Sequence, residues 1–104
     1  MSKKRQQISA TIYDRKGRKL SYGVNSYFKS HPLQQYYAEA AGRPDAIFLH
    51  AEIHALVKLK SKRKPYRIVV ERYLENGEPG LAKPCEICIQ AIHDMGIKVV
   101  EYTQ

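Results

Sequence analysis

Two short segments carry the side chains best equipped for chemistry, His50-Ala51-Glu52-Ile53-His54 and Pro84-Cys85-Glu86-Ile87-Cys88. Imidazole nitrogen and thiolate sulfur are the donors a tetrahedral zinc ion takes. Cys85 and Cys88 are the 2 cysteines of the chain. In a cytosolic protein, a C-x-x-C spacing reads as metal binding or redox chemistry before structural disulfide. At a helix N-terminus that spacing turns both sulfurs toward one point, and the helix dipole there favours the thiolate. Three donors, His50, Cys85 and Cys88, leave the fourth zinc position to water, and the metal lowers that water's pKa enough to give hydroxide near neutral pH. Glu52 stands two residues after His50, in the same first helical turn. A carboxylate there can move protons without binding the metal.

The same residues support other readings. His50 and His54 are four apart, so H-x-x-x-H with C-x-x-C can close a Cys2His2 structural zinc site. The chain would then be a basic, zinc-stapled nucleic-acid-binding module without catalysis. In the open-site reading His54 is a packing residue or one that supports a ligand from behind. As a redox pair, Cys85 and Cys88 lack the strand that the thioredoxin pattern places directly before its C-x-x-C. A loop containing Asn76-Gly77 and Pro79-Gly80 stands there instead.

Periodicity supplies the elements that must position these groups. Ile8 to Tyr13 is strand-like, Asp14-Arg15-Lys16-Gly17-Arg18 is a turn, and Lys19 to Asn25 resumes in alternation, which predicts a β-hairpin. Pro32 fits the first turn of a short helix over Leu33–Ala41, which Gly42-Arg43-Pro44-Asp45 ends. A helix is expected from about Leu49 to Lys60, with Ile53, Leu56 and Val57 on one face. Tyr66 to Tyr73 reads as a buried strand and Leu74 to Lys83 as a loop. Pro84 opens a second buried helix, capped by Gly96, and Ile97 to Tyr102 is a closing strand. The order β-β-(α)-α-β-α-β implies a mixed sheet covered by helices. His93 and Asp94, near a helix C-terminus, read as structural.

The 104 residues fit a single domain over 1–104, with residues 1–7 a flexible basic N-terminus. No apolar run approaches the ~20 residues that cross a bilayer. The basic start is followed by Gln6-Gln7 and is not a signal peptide, so a cytoplasmic location without membrane attachment is expected. Formal net charge is +8. It gathers at Lys3-Lys4-Arg5, at Arg15-Lys16 with Arg18-Lys19, and from Lys58 through Lys64. Such an excess suits a polyanion partner, nucleic acid or a nucleotide phosphate, beside the plainer reading of a solvated face. Tyr27, Tyr36, Tyr73 and Tyr102 are candidates to stack on bases, and Tyr13, Tyr22 and Tyr66 read as core or sheet residues. Nothing separates monomer from homodimer.

His50-Ala51-Glu52 followed by Pro84-Cys85-x-x-Cys88 resembles the signature of the zinc-dependent cytidine deaminase superfamily. That group includes cytidine and deoxycytidylate deaminases, polynucleotide cytidine deaminases and tRNA adenosine deaminases. The resemblance extends to element order over nearly the whole chain. It implies a compact α/β domain of three-layer α-β-α type, with four to five strands in a mixed sheet that opens on a hairpin. It implies that His50, Cys85 and Cys88 hold Zn2+. Glu52 would carry a proton from water to the ring nitrogen and then to the departing ammonia, as hydroxide attacks C4 of cytosine or C6 of adenine. Asn25, in Gly23-Val24-Asn25, matches a sugar-contacting Asn, and Ala51 would lie against the base through its backbone. Lys29 and His31, which follow Asn25, are candidates to line the pocket or touch a phosphate, and Tyr102 is a further substrate-binding candidate. Two departures stand out. Many members open with a helix before the hairpin, where this chain has a short basic segment, and many add elements after the fourth strand. The implied activity is conversion of cytosine to uracil, in single-stranded nucleic acid or in free (deoxy)cytidine or its nucleotides, with adenosine in RNA as the alternative base.

Overall fold

Ile8–Tyr13 (β1) and Lys19–Val24 (β2) form an antiparallel hairpin. The turn between them is held by Asp14, whose carboxylate accepts from Lys16 N–H at 2.9 Å, Arg18 N–H at 2.8 Å and Arg18 Nε at 2.8 Å. The computed structural model describes residues 7–26, 28–46, 48–59 and 63–104. Lys3-Lys4-Arg5, Tyr27 and Lys60–Lys62 lie outside the described residues, as does most of the 1–7 segment.

Arg67–Arg72 (β3) pairs antiparallel with β1, and Val99–Tyr102 (β4) pairs parallel with β3. The sheet therefore runs β2-β1-β3-β4 and is mixed, as expected. Pro32–Ala40 (α1) and Ala51–Val57 (α2) lie between β2 and β3, and Glu86–Asp94 (α3) links β3 to β4. The four strands, three helices and opening hairpin match the element order read from the sequence.

The boundaries differ in instructive ways. α2 is shorter than the predicted Leu49–Lys60, because His50 is its N-cap, with φ −78° and ψ 155°, and Lys58 ends it. Likewise Pro84 precedes α3, and Cys85 is the N-cap. Both chemical motifs thus straddle the junction between extended chain and helix. β4 begins at Val99, after Gly96 at φ 78° turns the chain out of α3 and buries Ile97.

Ala10, Ile12, Ile68 and Val70 are fully buried on one sheet face, where the register pairs Ala10 with Val70 and Ile12 with Ile68. They join Ile53 of α2 and Ile87 and Ile92 of α3 in one core. Each large aliphatic side chain there contributes about 1.5–3 kcal/mol of burial. α2 packs on β1 and β2, and the three helices touch one another, so they gather over this face. The opposite face carries Tyr13, Tyr22, Arg67, Val69 and Glu101. Arg67 stacks 4.5 Å over the Tyr13 ring and pairs with Glu101 at 2.6 Å.

Small residues let α2 approach β2 closely. A Cβ placed on Gly23 would fall 2.4 Å from Ala55 N and 2.7 Å from Ala51 O, both backbone atoms of α2. Beside it, buried Ser21 donates its hydroxyl to Ala55 O at 2.6 Å. The hairpin thereby fixes the height of the helix that begins at His50.

Candidate metal centre and active site

The caps of α2 and α3 bring the two motifs together. His50 Nδ1 lies 3.2 Å from Cys88 Sγ and 3.6 Å from Cys85 Sγ, and the three donor atoms lie within 4.8 Å of one another. Four tetrahedral bonds of about 2.3 Å to sulfur and 2.0–2.1 Å to nitrogen put neighbouring donors about 3.5–3.8 Å apart. The cluster has the donor types and nearly the spacing that zinc requires, so His50, Cys85 and Cys88 fit the ion.

Its electrostatics suit a cation. The Cys85 thiol is pushed down to about 3, chiefly by a hydrogen bond from Cys88 and further by His50, against the cost of burial. The Cys88 thiol is pushed up by donating to Cys85 and by burial. His50 is raised because it faces the Cys85 thiolate. The metal-free cluster thus concentrates thiolate charge beside an imidazole ring, and a divalent cation relieves it.

Glu52 is buried, at 6% exposure, on the first turn of α2. Burial is the main cause of its raised pKa, with His50 pulling the other way. A carboxyl tuned upward holds a proton closer to neutral pH, which a proton carrier needs. Glu52 lines a cavity of about 410 Å³ together with His50, Ala51, Cys85 and Asn25. That volume lies within the range of small-molecule sites.

Gln34 holds this wall in place from α1. It is fully buried, its Nε2 donates to Ala46 O at 3.0 Å, and its Oε1 accepts from His50 N–H at 3.2 Å. One amide thus ties the strand-like approach to His50 back to α1.

The other expected site residues divide. Asn25 lines the cavity, and its Oδ1 accepts from Ile8 N–H at 2.9 Å, joining the ends of β1 and β2. Lys29, His31 and Tyr102 are not among the lining residues. Lys29 is exposed on the loop after β2. His31 is the N-cap of α1, its Nδ1 accepting from Leu33 N–H at 3.0 Å. Tyr102 packs against the core from β4. His54 stands apart from the metal cluster, with Nδ1 at 3.1 Å from Val24 N and 3.0 Å from Val24 O, so its ring fastens α2 to β2. The fourth ligand of the closed Cys2His2 reading is therefore engaged elsewhere. Asp94 is structural as expected, accepting from Tyr37 O–H at 2.8 Å between α3 and α1.

Sequence reasoning missed Gln34, Phe48, Arg72 and Lys83. Phe48, Arg72 and Lys83 line the cavity, and Gln34 fixes its wall. Arg72 ends β3 and donates from Nη1 to Leu81 O at 3.1 Å, while its buried Nε has no hydrogen-bond partner among the described residues. Lone residues like these carry no motif. Only the folding of the Leu74–Lys83 loop back over β3, through Gly80 N–H to Arg72 O at 2.8 Å, brings Arg72 and Lys83 to one cavity.

The family model described as the cytidine and deoxycytidylate deaminase zinc-binding region matches residues 1–104. The chain belongs to that family. It is a zinc-dependent deaminase domain, with a His50, Cys85 and Cys88 cluster compatible with the zinc site. No individual curated protein matches it. Among the described residues, no helix of this deaminase is long and apolar enough to cross a membrane.

Proposed function

We propose that this deaminase hydrolyses the exocyclic amino group of cytosine, giving uracil and ammonia, with the base carried in single-stranded nucleic acid. The observation that carries the reading is Glu52, a buried carboxyl on the wall of the cavity that also exposes His50 and Cys85. His50, Cys85 and Cys88 would hold zinc, which supplies a hydroxide nucleophile near neutral pH. Glu52 takes the proton released from the attacking water. It delivers that proton to the ring nitrogen N3, then takes the proton of the new C4 hydroxyl and passes it to the amino group, so that the C–N bond breaks, ammonia leaves and the C4 carbonyl forms. Asn25 and the Ala51 backbone border the base and its sugar. The family description, cytidine and deoxycytidylate, favours cytosine over adenine. The net charge of +8 favours a polymer, because cations on several segments can follow a phosphate backbone. Cys85 and Cys88 remain available as thiols in a reducing compartment such as the cytoplasm.

A second reading draws on Arg72 and Lys83. Two cations on the cavity wall can hold the single phosphate of a free nucleotide. Incubation with cytidine, deoxycytidylate, adenosine-containing RNA, and single-stranded DNA and RNA, read by mass change, separates these substrates. Turnover of deoxycytidylate alone, indifferent to salt, would reject the polymer. For the mechanism, Glu52→Ala is expected to keep one zinc per chain and to lose about 10²-fold or more in rate. Activity surviving that change removes Glu52 from the proton path.

A further inference from the structure

A second cavity, of about 750 Å³, lies at the other end of the sheet. Its walls are the β1–β2 turn, the approach to β3 and the exit from α3. Six cations line it, Arg15, Lys16, Arg18, Arg63, Lys64 and Lys98, against one carboxylate, Asp14. Asp14 is already paired with Arg18 at 2.8 Å. The C-terminus of α3 adds only a fraction of a negative charge. Pro65, Tyr66 and Met95 add apolar and aromatic surface to the lining, and the Arg15 guanidinium sits 5.1 Å from the centre of the Tyr66 ring. Concentrated cations beside apolar and aromatic side chains are the features that bind a phosphate backbone and stack its bases.

We infer that this cleft is an anchoring site for the phosphodiester backbone of a single strand, separate from the catalytic pocket. β1 measures the separation, since Ile8 at its start lines the catalytic pocket and Asp14 just past its end lines the cleft. Six residues of extended chain span about 20 Å, which is about six nucleotides of stacked strand. A mononucleotide in the catalytic pocket cannot reach the cleft, whereas a strand of moderate length fills both. The inference builds on the polymer reading above, and its test is kept apart from catalysis.

The probe is a fluorescently labelled oligothymidylate of about 15 nucleotides, which has no exocyclic amino group, titrated with the zinc-loaded full chain. The cleft variant is Lys16→Glu/Lys98→Glu. The control is Lys19→Glu/Lys58→Glu, which makes the same change in net charge on residues outside the cleft lining. The cleft variant is expected to weaken binding about tenfold or more. Its log K against log salt slope should fall by about 1.4, two contacts at about 0.7 each. The control should lose less than about threefold. Equal weakening in both variants, a wild-type chain that does not bind, or equal competition by polyglutamate overturns the cleft. Turnover of a cytosine trinucleotide is measured beside it. If turnover is absent while the binding difference holds, the catalytic reading falls and the cleft stands. If turnover is present and unaltered in the cleft variant while the binding difference is missing, the cleft alone falls.

Discussion

Gly23→Ala tests whether the hairpin positions the metal centre. The added Cβ would meet Ala55 N at 2.4 Å, Ala51 O at 2.7 Å and His54 C at 2.9 Å. All three are backbone atoms of α2, so no side-chain rotation relieves the overlap. The shortest contact must open to about 3.4 Å before it becomes an ordinary one, a retreat of α2 by about 1 Å. Overpacking of this kind costs about 1–3 kcal/mol. His50 and Glu52 ride on α2, while Cys85 and Cys88 ride on α3. A zinc site tolerates only about 0.2 Å in its ligand distances. The expected outcome is a lower urea midpoint for the metal-free protein, equivalent to about 1–3 kcal/mol, and zinc affinity reduced about tenfold or more. Unfolding is followed by circular dichroism, and zinc affinity by competition with a colorimetric chelator. A variant with wild-type midpoint and wild-type zinc affinity would show that the close approach of β2 to α2 does not set the position of His50.

Gln34→Leu keeps the volume but strands the part-buried His50 N–H and Ala46 C=O, at up to about 1–3 kcal/mol for each group left unpaired. Denaturant titration should show the loss and chelator competition a weaker zinc site, and a change within about 0.5 kcal/mol would refute the positioning role. Asp14 is held below the ordinary carboxylate value, chiefly by the Arg18 backbone N–H, with the Arg18 side chain adding to it. A depressed folded value stabilises above the unfolded pKa and loses that contribution as pH falls through the folded one. The thermal stability gap between wild type and Asp14→Asn should therefore be full at neutral pH and shrink with acidification below pH ~4. A gap that stays constant down the acid range contradicts the linkage.

Much of this architecture was legible because its signals are local. The hairpin announces itself in the strand-like run of Ile8 to Tyr13, in the turn from Asp14 to Arg18 and in the alternation of Leu20, Tyr22 and Val24. The third strand shows in Ile68-Val69-Val70, and each helix near its metal ligands shows in aliphatic spacing. The helix starts were misplaced by one or two residues. A histidine and a cysteine serving as caps have extended backbones that composition does not reveal. The placement of Lys29 and His31 near the substrate rested on their following Asn25 in the chain, and that of Tyr102 on its ring. In the fold His31 caps α1 and Tyr102 is partly buried against the core.

By itself the sequence determined which atoms are available to a metal, since donor chemistry belongs to residue type and C-x-x-C spacing survives any fold. It also determined that a carboxylate follows the histidine by two. The choice among three readings of those residues belonged to tertiary structure. Only packing could spend the His54 ring on Val24 and leave three donors facing one another, because that bond joins residues 30 apart in the chain. Only packing could bury Glu52, whose raised pKa comes from desolvation rather than from any neighbour in sequence. The gathering of six cations into one lined cleft likewise needed the sheet, which brings the β1–β2 turn, Lys64 and Lys98 to one end.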